Sequence, residues 1–244
     1  MTLLVLAGTR EARDLCAALV EAGVDGGASL AGATRDPAPL ALPTRHGGFG
    51  GEAGFRAHLS DKGITSVVDA THPFAARITA RTVAVCHDLN IPCLRLERPG
   101  WTAGTLDKWQ WVEGPSEVVA GMDEDATVFL ATGRQSLPGF LGMSCRAVFL
   151  RQIDPPDRPF PFSDGGYVLG RPPFSVSQEV ETLERLGVTD LVVKDAGGDG
   201  GRAKLTAAGR LGVKVWIVRR PQRPDVRHVQ TVAEAVNWVR AQCG

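Results

Sequence analysis

The stretch Leu3-Leu4-Val5-Leu6-Ala7-Gly8-Thr9-Arg10-Glu11-Ala12 constrains this chain more than any other. An unbroken apolar run that halts at a glycine and passes straight into helical spacing is the sequence form of a buried parallel strand, a tight turn and a helix. Ala12, Leu15, Cys16, Leu19 and Val20 give the helix one apolar stripe, and Gly23 stops it. The turn then presents backbone N–H groups, the Thr9 hydroxyl and the Arg10 guanidinium at a helix N-terminus, where an anion is favoured. Two readings stay open here, a phosphate cradle and a plain first βα unit of an α/β fold. The dinucleotide fingerprint needs three glycines, and this loop has only Gly8.

At 244 residues, the chain can bury roughly 70–75% of its unfolded surface, enough for one large domain or two modest lobes. No stretch reaches the length of a membrane span, and the first apolar run lacks a basic leader, so a cytoplasmic protein with no membrane partner is expected. Cys16, Cys86, Cys93, Cys145 and Cys243 show no paired C-x-x-C spacing and no clustering with histidine, so no metal site is expected. The 27 basic and 27 acidic residues balance, which argues against a nucleic-acid partner. Only five of the basic residues are lysines, however, and the rest are arginines. A GC-rich genome produces that bias, as does a need for bidentate contacts to carboxylates or phosphates, which lysine cannot make.

Beyond the first helix, a weak strand from Gly26 to Ala33 ends at Thr34-Arg35. In a dinucleotide-binding half this point meets the adenosine ribose, and a basic residue there suits a 2′-phosphate, so NADPH is favoured over NADH. The glycine-dense stretch 45–51 reads as a connection. A strand over 63–69 then leads into the loop Ala70-Thr71-His72-Pro73-Phe74, a helix over 75–90 and a strand over 91–96. The composition turns small and polar after Gly100, which sets a boundary between lobes 1–100 and 101–244. The second lobe offers strands over 109–112, 127–131, 146–151, 191–194 and 213–218, a loop over 153–173, and helices over 116–122, 175–186 and 202–211. The last helix (231–242) suits either lobe.

The lobes echo each other. Leu6-Ala7-Gly8-Thr9-Arg10 matches Leu130-Ala131-Thr132-Gly133-Arg134, and Gly63-Ile64-Thr65 matches Gly187-Val188-Thr189, both at an offset of 124 residues. Each half closes on an Arg-Pro pair, Arg98-Pro99 and Arg220-Pro221. The fold expected is therefore α/β: two Rossmann-like parallel-sheet lobes related by internal duplication, with an interlobe cleft. Ligands of parallel sheets gather at the carboxyl ends of the strands, where Thr132-Gly133-Arg134, Arg151 and the run Lys194 to Arg202 also fall. Four glycines in the five positions 197–201 do not serve helix stability. They suit either close backbone approach to a ligand or a mobile surface turn.

Together these residues resemble the precorrin-6A and cobalt-precorrin-6A reductases of cobalamin biosynthesis. The resemblance spans nearly the whole chain, through Gly8-Thr9-Arg10-Glu11-Ala12, Asp69-Ala70-Thr71-His72-Pro73-Phe74-Ala75, Leu94-Arg95-Leu96-Glu97-Arg98-Pro99, Arg171-Pro172-Pro173-Phe174-Ser175 and Lys194-Asp195-Ala196-Gly197-Gly198. The family more often has a second glycine where Ala7 stands and Gln-Gly-Pro-Phe where Arg171-Pro172-Pro173-Phe174 stands. The resemblance implies NADPH-dependent reduction of one double bond in an anionic macrocycle, and it sets no oligomeric state. On that basis Gly8, Thr9, Arg10, Glu11, Thr34, Arg35, Thr71, His72 and Phe74 are expected to hold NADPH. Arg134, Arg151, Lys194, Gly197, Gly198 and Lys204 are expected at the macrocycle. His72, Lys194 and Asp195 are candidates to deliver the proton, as is solvent.

Two other classes compete. A short-chain dehydrogenase needs Tyr-x-x-x-Lys, but the only tyrosine, Tyr167, is followed four residues later by Arg171. A non-catalytic two-lobed binding protein for an anionic metabolite would share the architecture without the reaction.

Overall fold

The computed structural model describes residues 2–32, 37–105 and 107–243. Thr34 and Arg35, expected at the nucleotide ribose, lie outside them. The chain divides into two compact units, residues 1–99 with 221–244, and residues 100–220.

In chain order the first unit contains β1 (Leu3–Leu6), α1 (Arg10–Glu21), β2 (Gly26–Leu30), β3 (Thr44–His46), α2 (Gly51–Asp61), β4 (Ser66–Asp69), α3 (Ala76–Asp88) and β5 (Cys93–Leu96). The second contains β6 (Trp109–Val112), α4 (Pro115–Ala120), β7 (Thr127–Ala131), a 3-10 turn (Arg134–Phe140), β8 (Ala147–Gln152), β9 (Gly165–Leu169), α5 (Val176–Arg185), β10 (Asp190–Lys194), a second 3-10 turn (Asp199–Gly201), α6 (Arg202–Leu211) and β11 (Lys214–Val218). The chain then returns to the first unit as β12 (His228–Val229) and α7 (Val232–Cys243).

Each unit is built on a six-stranded sheet, ordered β12-β5-β4-β1-β2-β3 in the first and β6-β11-β10-β7-β8-β9 in the second. Every pairing is parallel. The 124-residue echo maps β1 onto β7 and β4 onto β10, the central pairs of the two sheets. It breaks after the first of these pairs. The first strand of unit one feeds a 12-residue α-helix, whereas β7 feeds a 3-10 turn containing Pro138, which cannot supply the N–H that an α-helical interior requires.

Strands buried on both faces need continuous apolar sequence, and β1 shows why. Leu3 and Val5 join one cluster with Ala12, Leu15, Cys16 and Leu19 of α1. Leu4 and Leu6 point the other way, into a cluster with Phe55 and Leu59 of α2 and Val85 of α3. The α1 stripe forms as expected except at Val20, which is 48% exposed. Cys16 is fully buried there, and burial pushes its thiol up to about 11.

The last helix settles on the first unit, so the second unit ends at Arg220 rather than at 244. Ala235, Trp238 and Val239 of α7 enter the same cluster as Leu3, Leu15 and Leu94. Within the stretch 153–173, expected to be a loop, β9 forms an edge strand against β8. Its residues Gly165 and Gly166 hide it from any local pattern. No helix of the described residues is long and apolar enough to cross a membrane.

Candidate functional site

In the first sheet the order reverses between β1 and β4, and in open parallel sheets ligands bind at the carboxyl ends of the strands at such a reversal. Gly8 opens the first loop at φ +144°, a dihedral L side chains rarely adopt, with nothing within 4 Å of where a Cβ would lie. Thr9 caps α1: its Oγ1 accepts from Ala12 N (3.1 Å) and donates to the Ala70 carbonyl (2.8 Å), strapping the β1 loop to the β4 loop. The Arg13 N–H reaches the Thr9 carbonyl at 3.4 Å. The N–H groups of Arg10 and Glu11 have no intrahelical acceptor, as in any helix start. The Glu11 carboxylate pairs with Arg98, which follows β5, while the Arg10 side chain points outward to Asp14 (3.6 Å).

Beneath the second loop lies a buried charged network. Asp69, the last residue of β4, is 1% exposed. Its Oδ1 accepts from the Thr71 N–H (3.0 Å) and hydroxyl (2.7 Å), and its Oδ2 accepts from the Thr79 hydroxyl on α3 (2.7 Å). Arg95 of β5, also 1% exposed, brings Nη1 to Asp69 Oδ1 (2.9 Å) and to Thr71 Oγ1 (3.1 Å), and Nη2 to Glu97 Oε2 (3.0 Å). Arg223, from the returning segment, approaches the other Glu97 oxygen at 3.7 Å. Alternating charges thus offset one another's desolvation. The Thr71 hydroxyl, expected at the cofactor, both donates and accepts inside this network.

His72 sits above it in a tight turn. Its Nδ1 accepts from the Phe74 N–H (3.2 Å), so the ring carries its proton on Nε2 when neutral. The His72 and Phe74 rings are 5.9 Å apart.

In the second unit the corresponding reversal lies between β7 and β10. After β7, Thr132 is buried and accepts from Ser136 Oγ (2.7 Å), Gly133 adopts φ +80°, and Arg134 is exposed. After β10, burial lowers the Lys194 ammonium from its ordinary range. Gly197 and Gly198 follow at φ +67° and +65°. The loop is held at two points. Trp101 Nε1 donates to the Gly198 carbonyl (2.8 Å) and Lys204 Nζ to that of Gly201 (3.2 Å). Burial, and secondarily the charge of Arg151, lower the Lys204 ammonium, with Glu179 opposing.

Two expectations change here. Arg151, expected at substrate carboxylates, directs Nη1 to both oxygens of Glu179 (2.6 Å each), with its guanidinium 4.3 Å from the Phe174 ring centroid and 4.9 Å from that of Phe129. It belongs to a buried pair, because Glu179 on α5 is 1% exposed and would otherwise be uncompensated. Asp195, a candidate proton donor, is occupied as well: Oδ1 accepts from the Trp101 N–H (3.0 Å) and Oδ2 pairs with Arg220 Nε (3.2 Å).

The sequence reading missed Arg95, Glu97, Arg98, Trp101, Glu179 and Arg220 as functional supports. One signal was present in Leu94-Arg95-Leu96, since an arginine inside an apolar strand must be paired when buried. The Arg-Pro echo was another: Arg98 pairs with Glu11 at the start of α1, and Arg220 with Asp195 after β10.

The family model described as precorrin-6x reductase CbiJ/CobK matches residues 2–240. The chain is 40% identical to the precorrin-6A reductase of Rhodobacter capsulatus, over 97% of this chain and 95% of that one. It is 37% identical to the precorrin-6A reductase of Rhodococcus erythropolis, over 97% and 96%. The solved structure titled CobK precorrin-6A reductase superposes with a TM-score of 0.93 at 40% identity, covering 98% of this chain and 96% of that one. With nearly its whole length matched in sequence and in fold, this chain belongs to the precorrin-6x reductase CbiJ/CobK family.

Proposed function

We propose that the protein reduces one carbon–carbon double bond of precorrin-6A, with NADPH as the reductant and without metal in the macrocycle. The carrying observation is the full-length match to relatives named for precorrin-6A, joined to a strand-order reversal that places the β1 and β4 loops where such folds bind dinucleotides. The residues present fit the nucleotide: the open approach at Gly8 and the start of α1 offer backbone N–H groups and a helix dipole to a pyrophosphate. Thr9 and Thr71 keep the two loops in place, and His72 and Phe74 form a wall beside them. When bound, NADPH supplies the hydride.

The chain's remaining work is positioning and charge. Arg134, which is exposed, half-buried Lys194 and the backbone at Gly197 and Gly198 meet the carboxylate arms of the macrocycle, where each charge-assisted bond contributes about 1.5–3 kcal/mol. The proton for the neighbouring carbon comes from solvent, or from His72 in its doubly protonated form once Nδ1 has released the Phe74 N–H, because the Asp195 carboxylate is engaged on both oxygens.

Incubation with NADPH and precorrin-6A, followed by mass spectrometry, is expected to show a gain of two hydrogens in the macrocycle and matching oxidation of NADPH. Cobalt-loaded precursor run in parallel is expected to react more slowly. No NADPH oxidation with precorrin-6A would sink the assignment. Arg35 is assigned to the 2′-phosphate on sequence grounds. Arg35→Ala is expected to shrink the preference for NADPH over NADH by about tenfold or more, the worth of one charge-assisted bond. An unchanged preference in steady-state kinetics removes Arg35 from the site.

A further inference from the structure

The glycine loop 197–201 is braced from beneath by one constellation within the second unit. Asp195 stands at its foot, 7% exposed. Its Oδ1 accepts from Trp101 N (3.0 Å), its Oδ2 faces Arg220 Nε (3.2 Å), and its carbonyl accepts from the same Arg220 Nε (3.0 Å). Trp101, 8% exposed, then reaches past Asp195 and donates from Nε1 to the Gly198 carbonyl at 2.8 Å. Two glycines make this approach possible. A Cβ on Gly100 would lie 2.6 Å from Asp195 Oδ2, and one on Gly201 would lie 2.6 Å from Trp101 Cζ2. The indole therefore passes between the loop's foot and its far end, bonded to one and in van der Waals contact with the other.

We propose that Asp195 acts through Trp101 as the positioning residue of the 197–201 loop, setting the Gly197 and Gly198 backbone in the conformation that receives the macrocycle. This rests on the reading that the loop meets the macrocycle. Asp195 fixes the Trp101 backbone, the indole fixes the Gly198 carbonyl, and the peptide units on either side of that carbonyl are oriented as a consequence. The left-handed dihedrals at Gly197 and Gly198 are sparsely constrained by glycine itself, so a tether is required to select one conformation from many. Pre-setting it lowers the ordering cost on binding and leaves the hydride step untouched.

The test is steady-state kinetics of the full chain with precorrin-6A and NADPH varied separately. Trp101→Phe keeps the ring and removes the bond to Gly198. It is expected to raise the KM for precorrin-6A about tenfold, the equivalent of one buried hydrogen bond, with kcat and the KM for NADPH unchanged. Gly201→Ala displaces the indole from the other side and is expected to raise the same KM. Asp195→Asn is expected to do likewise without removing a limb from the pH profile of kcat. Loss of such a limb with a collapse of kcat would instead make Asp195 the proton donor and overturn the proposal. Lys194→Ala separates the proposal from the reading beneath it. If Lys194→Ala raises the KM for precorrin-6A and neither Trp101→Phe nor Gly201→Ala does, the tether is wrong and the loop's contact stands. If none of them does, the contact itself is wrong.

Discussion

Arg95→Ala is expected to destabilise the protein by about 3–5 kcal/mol, the cost of breaking a buried ion pair by removing one partner. The side chain is 1% exposed and serves Asp69, Thr71 and Glu97 at once. Its removal leaves the Asp69 carboxylate, equally buried, with hydroxyl and amide donors but without the guanidinium that contacts it directly. The exposed pair Arg10–Asp14, with side chains 73% and 52% accessible, forms the natural contrast, because solvent screens it and its loss changes little. Urea unfolding of the two alanine variants at positions 95 and 10 is the measurement. A midpoint shift at position 95 no larger than at position 10 would show that the network adds nothing. The expected loss carries a functional sequel: Thr71 is released together with Arg95, so variants folded well enough to assay are expected to bind NADPH less tightly.

Gly8→Val is expected to weaken NADPH binding by between about tenfold and a few hundredfold. Holding a side chain at φ +144° costs on the order of 1–3 kcal/mol. The space around the position is open, so the folded protein bears the dihedral strain without a clash. A bound pyrophosphate then meets both the shifted backbone and the added isopropyl group. Gly133→Ala provides the control in the duplicated half. Its glycine also has positive φ, but the 3-10 turn that follows lacks a long helix's dipole and run of N–H groups. That variant is expected to leave NADPH affinity unchanged in calorimetric titration. Equal losses from both variants would remove the α1 start from the nucleotide site.

The parts of this fold that were legible in the sequence are those encoded over a few neighbouring residues. The run Leu3 to Leu6, the stop at Gly8 and the stripe of Ala12, Leu15, Cys16 and Leu19 specify β1 and α1 because burial on both faces and helical spacing are local patterns. The 202–211 helix and the strands 109–112 and 127–131 were legible for the same reason. The His72 turn is local too, its ring bonding a backbone N–H two residues away. The edge strands β9 and β12 were not legible: β9 opens on Gly165-Gly166, β12 has only two residues, and both exist because β8 and β5 offer unpaired edges.

The roles of the charged residues were settled at still longer range. Thr9 meets Ala70 across 61 positions, Glu11 meets Arg98 across 87, and Trp101 meets Asp195 across 94. The sequence by itself determined that the chain would build two parallel sheets, since the hydrophobic period is local and repeats at a constant offset. Only the tertiary structure decided which ionic groups are committed to buried pairs that hold the loops. Arg151 and Asp195 have the chemistry for a ligand contact or for such a pair. Burial against Glu179 and Arg220 commits them to the second, because a charge taken out of water must be compensated by whatever the fold brings beside it.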